Sequence, residues 1–388
     1  MEKPVNIFKT RKNPETPGTS FRVPCGSNPR SPGRNVSTAI FLLILLLLAP
    51  GRPAVAEAAT GKTWRMPPTP LPMDQLYRAL NRARGGEGAK PGTADNTGVW
   101  PRTITFSSRE FDYRNGKFRT HSQTLTLKRQ PRRIIPHAVG ISEVLWAISP
   151  RDRLVLFNQV AADPKFSIIA DEILATGRIF NSRQTELVIA ARPDIIFTVT
   201  FSDAAFKERL RRAGIRVVDF GAPDSLDAVL QEIDILGRII GEEGNAKALL
   251  ATIRRKREEL EAALPHRTHP LELLFYDHGG YIPGQSSNFN SLCRLVGAVN
   301  LGAAKGIKAW KQVDNETLLK WNPEIILVSV ESGLKEKLIA DPLLLHTRAV
   351  LNHRILEIPG IYLQANSQYL LLSANLLAGI IYRENFRK

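Results

Sequence analysis

The residues best equipped for chemistry lie in one short stretch, where Tyr276, Asp277, His278 and Tyr281 gather two phenols, a carboxylate and an imidazole. Such a stretch is dense in hydrogen-bonding groups for a polar ligand. His137, in a loop after the apolar run Arg133-Ile134-Ile135, is a further candidate. Two carboxylates, Glu186 and Glu316, stand 130 positions apart, each at the head of an apolar run with helical spacing. An acid in the first turn of a helix is favoured by the helix dipole, stays ionised, and can meet a partner's guanidinium. The patterns of common catalysts are missing: there is no G-x-G-x-x-G after a strand, no P-loop, no H-E-x-x-H and no G-x-S-x-G. The seven histidines are dispersed without paired spacing, so no site for a bare divalent metal, with its four or so converging ligands, is assigned. No residue is assigned a catalytic role, and the chain does not read as an enzyme.

What must position these residues is a duplicated unit. Phe180, Glu186, Pro193, Asp194, Ile195 and Ile196 recur at a constant offset of 130 as Trp310, Glu316, Pro323, Glu324, Ile325 and Ile326. In each copy the apolar residues after the glutamate predict a helix, the proline stops it, and a strand follows over 194–199 or 324–328. A helix entering a parallel strand, twice, predicts an α/β fold of two doubly wound lobes. Ligands of such lobes sit in the crevice beyond the carboxyl ends of the strands.

The rest of the chain fits around that unit. Residues 39–49 are apolar but too few to span a bilayer, and they follow Arg30 and Arg34 and precede the small-residue run Ala54-Val55-Ala56. Residues 1–58 therefore read as a cleaved secretory leader. Cys25 lies upstream and Cys293 alone remains after cleavage, which excludes an internal disulfide and a lipid-anchor acceptor, and Cys293 reads as a small buried residue on a helix. Residues 59–102 are rich in Pro, Gly, Ala and Arg and read as a flexible basic linker with one short helix near 73–84. The net charge of +16 is concentrated at this end: residues 1–58 carry a surplus of 5, residues 59–133 a surplus of 10, and residues 134–388 only +1. A body so nearly neutral argues against nucleic acid as partner.

The first lobe, 103–224, opens with a hairpin around Asn115-Gly116. A helical connector follows over 225–264, with apolar residues such as Leu226, Val229, Leu230 and Ile233 on one face and a split at Gly241 or Gly244. The second lobe fills 265–388. The second piece of the connector, roughly 30 Å long at 1.5 Å per residue, is the long helix that joins the lobes and restrains their opening.

With these elements in order, the chain resembles the solute-binding proteins of ABC importers for iron complexes and vitamin B12, the two-lobed class with a helical linker. The likeness spans about residues 120–385 and rests on Pro131-Arg132-Arg133-Ile134-Ile135, the boxes 181–196 and 310–326, the run Leu236-Gly237-Arg238-Ile239-Ile240-Gly241, and Gly297-Ala298-Val299-Asn300. It implies a periplasmic monomer without a cofactor of its own, which carries a ferric siderophore, haem or cobalamin to an inner-membrane permease. It implies that Glu186 and Glu316 dock onto permease arginines. It also implies that Phe180 and Trp310, six residues ahead of each glutamate, offer planar faces to the organic part of the cargo. For haem, Tyr281 or His278 would supply an axial bond. For a siderophore, these residues with His137, Tyr276, Arg178 and Gln364 would meet its polar edges. A two-lobed exported enzyme, such as a glycosyltransferase, is the competing class, and a nucleotide-sugar donor is scarce outside the cytoplasm.

Overall fold

Alternation along the strands decides how the molecule is layered. The structure is a computed structural model that describes residues 64, 66–81, 100–112, 117–181, 183–200 and 202–386. Residues 1–52 and 53–388 form separate units, and all described residues belong to the second. The leader and the turn at Asn115-Gly116 lie outside the described residues.

In the first lobe β3 (Ile134–Pro136), β6 (Ile195–Val199) and β7 (Val217–Phe220) run parallel in the order β3-β6-β7, beside the parallel pair β4 (Phe157–Asn158) and β5 (Ile179–Phe180). It is preceded by the antiparallel hairpin of β1 (Arg102–Asp112) and β2 (Lys117–Leu127). In the second lobe β8 (Glu272–Phe275), β10 (Val299–Asn300), β12 (Ile325–Ser329) and β13 (Ile355–Ile358) form a parallel sheet in the order β10-β8-β12-β13. There β9 (Tyr281–Pro283) and β11 (Trp310–Gln312) pair antiparallel. The helices of the first lobe and connector are α1 (Met73–Asn81), α2 (Val139–Ile148), α3 (Ala170–Ala175), α4 (Thr185–Ala190), α5 (Ala204–Arg212), α6 (Leu226–Ile240) and α7 (Glu243–Ala263). Those of the second lobe are α8 (Asn288–Leu295), α9 (Leu301–Ala304), α10 (Asn315–Trp321), α11 (Leu334–Ala340), α12 (Arg348–Leu351), α13 (Gly360–Leu363) and α14 (Leu370–Ile381).

Successive residues of a strand point to opposite faces. Ile134, Ile195 and Phe197 therefore enter a large central core, while Ile135 and Ile196 enter an outer cluster with Val188, Phe206 and Leu210. The second lobe repeats this, with Leu273, Phe275, Ile325 and Leu327 central and Leu274, Ile326 and Val328 in an outer cluster. The central core is continuous through α6, α7 and α14, so the two lobes share one apolar interior. Cys293 belongs to it, fully buried, and burial pushes its thiol well above the usual range.

The duplication holds in three dimensions. α4 and α10 begin at 185 and 315, and β6 and β12 cover 195–199 and 325–329, all at the offset of 130. A left-handed residue follows each helix, Arg192 just past the Ala191 cap of α4 and Asn322 as the cap of α10, both with φ of 47°. Asparagine tolerates that conformation, and arginine holds it at a cost of about 1 kcal/mol or more.

The connector breaks at Gly241, whose φ of 69° makes it the left-handed cap of α6. α6 and α7 fold back on each other there: a Cβ at Gly237 would lie 2.4 Å from that of Ala246. The expectation of a flexible linker over 59–102 is corrected for residues 66–81. Leu76 and Leu80, one turn apart on α1, are buried in the central core. The Leu71 amide donates to Asn375 Oδ1 at 2.9 Å, and Asn375 Nδ2 donates to the Leu71 carbonyl at 2.8 Å. Tyr77 stacks on Tyr369 at 5.8 Å and its hydroxyl donates to Glu172, so α1 bridges the second lobe and the first.

Candidate functional site

The carboxyl end of β3 leads into α2, a helix buried on all faces because it lies between the lobes. Gly140 allows the close approach, since a Cβ there would lie 2.5 Å from Asn366 Oδ1 and 2.8 Å from the Asn366 carbonyl oxygen. One turn on, Glu143 ties both lobes together. Its Oε1 accepts from the Ile168 amide at 2.9 Å and Ser167 Oγ at 3.3 Å, and its Oε2 accepts from Ser367 Oγ at 2.5 Å. Its backbone carbonyl accepts from Gln368 Nε2 at 2.9 Å. Burial pushes the Glu143 carboxyl up to about 7, against the pull of the three donors.

Above this joint is a cleft of about 140 Å³ walled by both lobes. Val139, Val160, Phe166, Ile168 and Ile361 give it apolar sides, and Lys165, Gln364, Asn366 and Glu143 itself are its polar groups. An apolar recess with a few polar groups suits an organic ligand.

Of the residues singled out from sequence, Gln364 lines this cleft. Three others are committed elsewhere, which corrects their reading as cleft groups. Phe180 is 1% exposed and belongs to the outer cluster of the first lobe, because its side of β5 faces inward. Arg178 Nη1 donates to the carbonyls of Arg151 at 3.1 Å and Leu154 at 2.7 Å, fastening the chain ahead of β4. Tyr276 is buried in the outer cluster of the second lobe, its hydroxyl 3.3 Å from Asn315 Oδ1, and burial pushes its pKa up, making the phenol less acidic.

His137 is likewise engaged. Asn158 Oδ1 accepts from the Val160 amide at 3.0 Å, which turns its Nδ2 toward His137 Nε2 at 3.2 Å. That nitrogen must therefore accept, and Nδ1–H donates to Ser202 Oγ at 3.3 Å, an oxygen that also accepts from the Val199 amide. This polarity is the reverse of an activated serine, whose hydroxyl would donate to the ring. Burial first, then the nearby Lys207, lowers the His137 imidazole to about 4, so it is neutral.

The second lobe brings two candidates together. In the β9–β11 pair, Gln312 stands opposite Tyr281 and Trp310 opposite Pro283, so Tyr281 and Trp310 share a face. Both are half-buried, and Trp310 meets Phe275 edge-on at 5.9 Å. His278 is exposed, with Nδ1 3.3 Å from Asp277 Oδ1. Glu186 and Glu316 lie exposed in the first turns of α4 and α10 and make no ion pair with another described residue. Sequence reasoning missed Glu143, Lys165, Phe166 and Asn366. Glu143 had a signal, as the one charged residue in an otherwise uncharged ten-residue helix.

The titrations set a test of the joint. Glu143 and Glu232, the latter raised to about 8 by burial on α6, hold protons in the folded state that the unfolded chain releases near 4.5. Stability therefore falls as pH rises through that window. His137 acts with the opposite sign, but only between about 4 and 6.5. From pH 6.5 to 8 the two carboxyls act unopposed, and stability is expected to drop on the order of 2 kcal/mol. Urea unfolding at the two pH values should show this drop, and Glu143→Gln with Glu232→Gln should flatten it.

Residues 156–362 match the periplasmic binding protein family, more than half of the chain, and the chain belongs to that family. Among curated relatives, a cobalamin-binding protein of Halobacterium salinarum is 22% identical over 210 residues, covering 54% of this chain and 56% of that protein. The match thus spans little more than half the length of that relative. An uncharacterized ABC transporter substrate-binding lipoprotein of Bacillus subtilis, YvrC, is 22% identical over 277 residues, covering 69% of this chain and 85% of that protein. Among solved structures, the periplasmic heme-binding protein RhuT of Roseiflexus sp. RS-1 superposes with a TM-score of 0.56 at 20% identity, over 66% of this chain and 99% of that one. At that identity the likeness is one of fold, the two-lobed α/β architecture expected from the duplicated boxes.

Proposed function

We propose that this protein is exported to the periplasm, binds an organic metal complex in the interlobe cleft, and delivers it to the permease of an ABC importer. The observation that carries the reading is the cleft walled by both lobes, apolar with a few polar groups, in a member of the periplasmic binding protein family. The names of its relatives, one cobalamin-binding and one heme-binding, fit a chelate as cargo. A space of about 140 Å³ is smaller than the roughly 300–1,000 Å³ of ordinary ligand pockets, so such a cargo enters with the walls parted.

The lining carries Lys165, Gln364, Asn366 and Glu143, whose carboxyl is tied up by Ile168, Ser167 and Ser367, and no histidine, tyrosine or cysteine. That set favours a cargo whose metal is already saturated by its own ligand, a ferric siderophore or cobalamin, with Lys165 meeting an anionic edge. Haem is the second reading, favoured by Tyr281 and Trp310 on one face with His278 exposed nearby in sequence. In this function Glu186 and Glu316 are the permease contacts, the leader is removed, and the mature protein carries no lipid anchor. Titration of the full chain with a ferric tris-catecholate, cyanocobalamin and hemin is the test. The expected result is quenching of tryptophan fluorescence by one of the saturated complexes, weakened in Lys165→Ala if that complex is anionic. A new Soret band with hemin, lost in Tyr281→Phe or His278→Ala, would assign haem instead, and no binding of any of the three would remove the reading.

A further inference from the structure

The amino edge of the first lobe's sheet, the pole opposite the cleft, carries a concentration of arginine that the duplicated lobe lacks. Hydrogen bonds define the cluster. The Asp194 carboxylate accepts from the backbone amides of Arg132 at 2.7 Å and Arg133 at 3.0 Å, and the Arg129 guanidinium lies 3.3 Å from it. Arg133 Nε donates to the carbonyls of Ala191 at 2.9 Å and Arg192 at 3.1 Å, and the Ile196 amide donates to the Arg216 carbonyl at 2.9 Å. Arg129, Arg132, Arg133, Arg192 and Arg216 thus belong to the segments joined at this edge, and all five are exposed. The side chains of Arg132, Arg192 and Arg216 make no hydrogen bond or ion pair with another described residue.

The second lobe serves as an internal control. At its matching edge Glu324 stands for Asp194 and Asn322 for Arg192. Two arginines there are paired with acids: Arg354 lies 3.4 Å from Glu324, and Arg348 lies 3.6 Å from Glu324 and 3.9 Å from Glu272, while Arg267 donates to the His269 carbonyl at 3.3 Å. The fold therefore does not require an unpaired basic pole.

Guanidinium groups bind phosphate oxygens in pairs, and clustered arginines are drawn to anionic lipid surfaces. Neighbouring strands lie about 4.8 Å apart, so arginines at the ends of adjacent strands present a compact patch. A linear nucleic acid is met instead by a stripe of charge, and residues 134–388 carry only +1. We propose that this arginine pole binds the phosphate headgroups of an anionic phospholipid bilayer, holding the protein on a membrane surface with its cleft turned to the water. The attachment is peripheral and reversible by salt, and it does not depend on which cargo the cleft takes.

The test is flotation of the full chain with vesicles of phosphatidylcholine alone and of phosphatidylcholine with phosphatidylglycerol. Binding is expected only with phosphatidylglycerol, reversed by high salt, and weakened about tenfold or more in the triple variant Arg132→Glu, Arg192→Glu, Arg216→Glu. Should that variant unfold at a lower temperature than the parent, the corresponding triple glutamine variant decides, again with weakened binding expected. Undiminished binding by a folded triple variant would assign the attachment to the basic residues 1–102 and overturn the proposal. Failure to bind anionic vesicles, equal binding to both vesicles, or tighter binding to duplex DNA at equal phosphate would overturn it as well.

Discussion

Exchange of both Glu186 and Glu316 for glutamine is expected to cut cargo uptake by cells more than a hundredfold while leaving cargo affinity unchanged. Each carboxylate sits exposed in the first turn of its helix, so neutralising it removes no buried contact. A charge-assisted hydrogen bond to a permease arginine contributes about 1.5–3 kcal/mol, and two act together. Reversal to lysine should be worse than neutralisation, because it sets like charges face to face. Uptake and ligand titration of the same double variant are the paired measurements. If affinity fell together with uptake, the carboxylates would belong to cargo binding, and if both survived they would be helix-start acids only.

Phe180→Ala and Trp310→Ala should part company, although the sequence pairs them. Phe180 is 1% exposed among Ile135, Val188, Ile196 and Phe206, so its truncation is expected to destabilise the fold by about 3–5 kcal/mol. Trp310 is half-buried on the rim of β11, and its loss should lower affinity for an organic chelate by about 1–3 kcal/mol with a smaller change in stability. Denaturant unfolding and ligand titration of each single variant separate the two. Equal destabilisation by both would show that Trp310 is a core residue too.

The architecture was legible because its punctuation is local. Pro193 and Pro323 stop their helices, and the apolar strands after them start one residue beyond the expected 194 and 324. Gly241 ends α6 for an equally local reason, the left-handed turn that glycine adopts without strain. The site was less legible because its geometry comes from contacts between distant segments. Nothing near His137 in sequence announces Asn158 and Ser202, which engage its two nitrogens. Phe180 and Trp310 match in the repeat, yet β5 pairs in parallel with β4 while β11 pairs antiparallel with β9, so the two rings meet different surroundings. Residues 66–81 looked like linker because the partners of Leu71 and Tyr77 include Asn375 and Tyr369, about three hundred positions away.

That separation has a consequence for how the chain is born. The Leu71 amide waits for an acceptor 304 residues downstream, on the last long helix, and the central core likewise needs α14 to be filled. During synthesis from the amino end, α1 can meet Glu172 of α3 early, but its contacts with Asn375 and Tyr369 form only when almost the whole polypeptide has emerged. Contacts of such long range close late and slow the final step of folding. The nascent protein stays unlatched along most of its length, a state suited to threading and exposed to proteases, and it becomes a locked two-lobed body only once its final helix arrives.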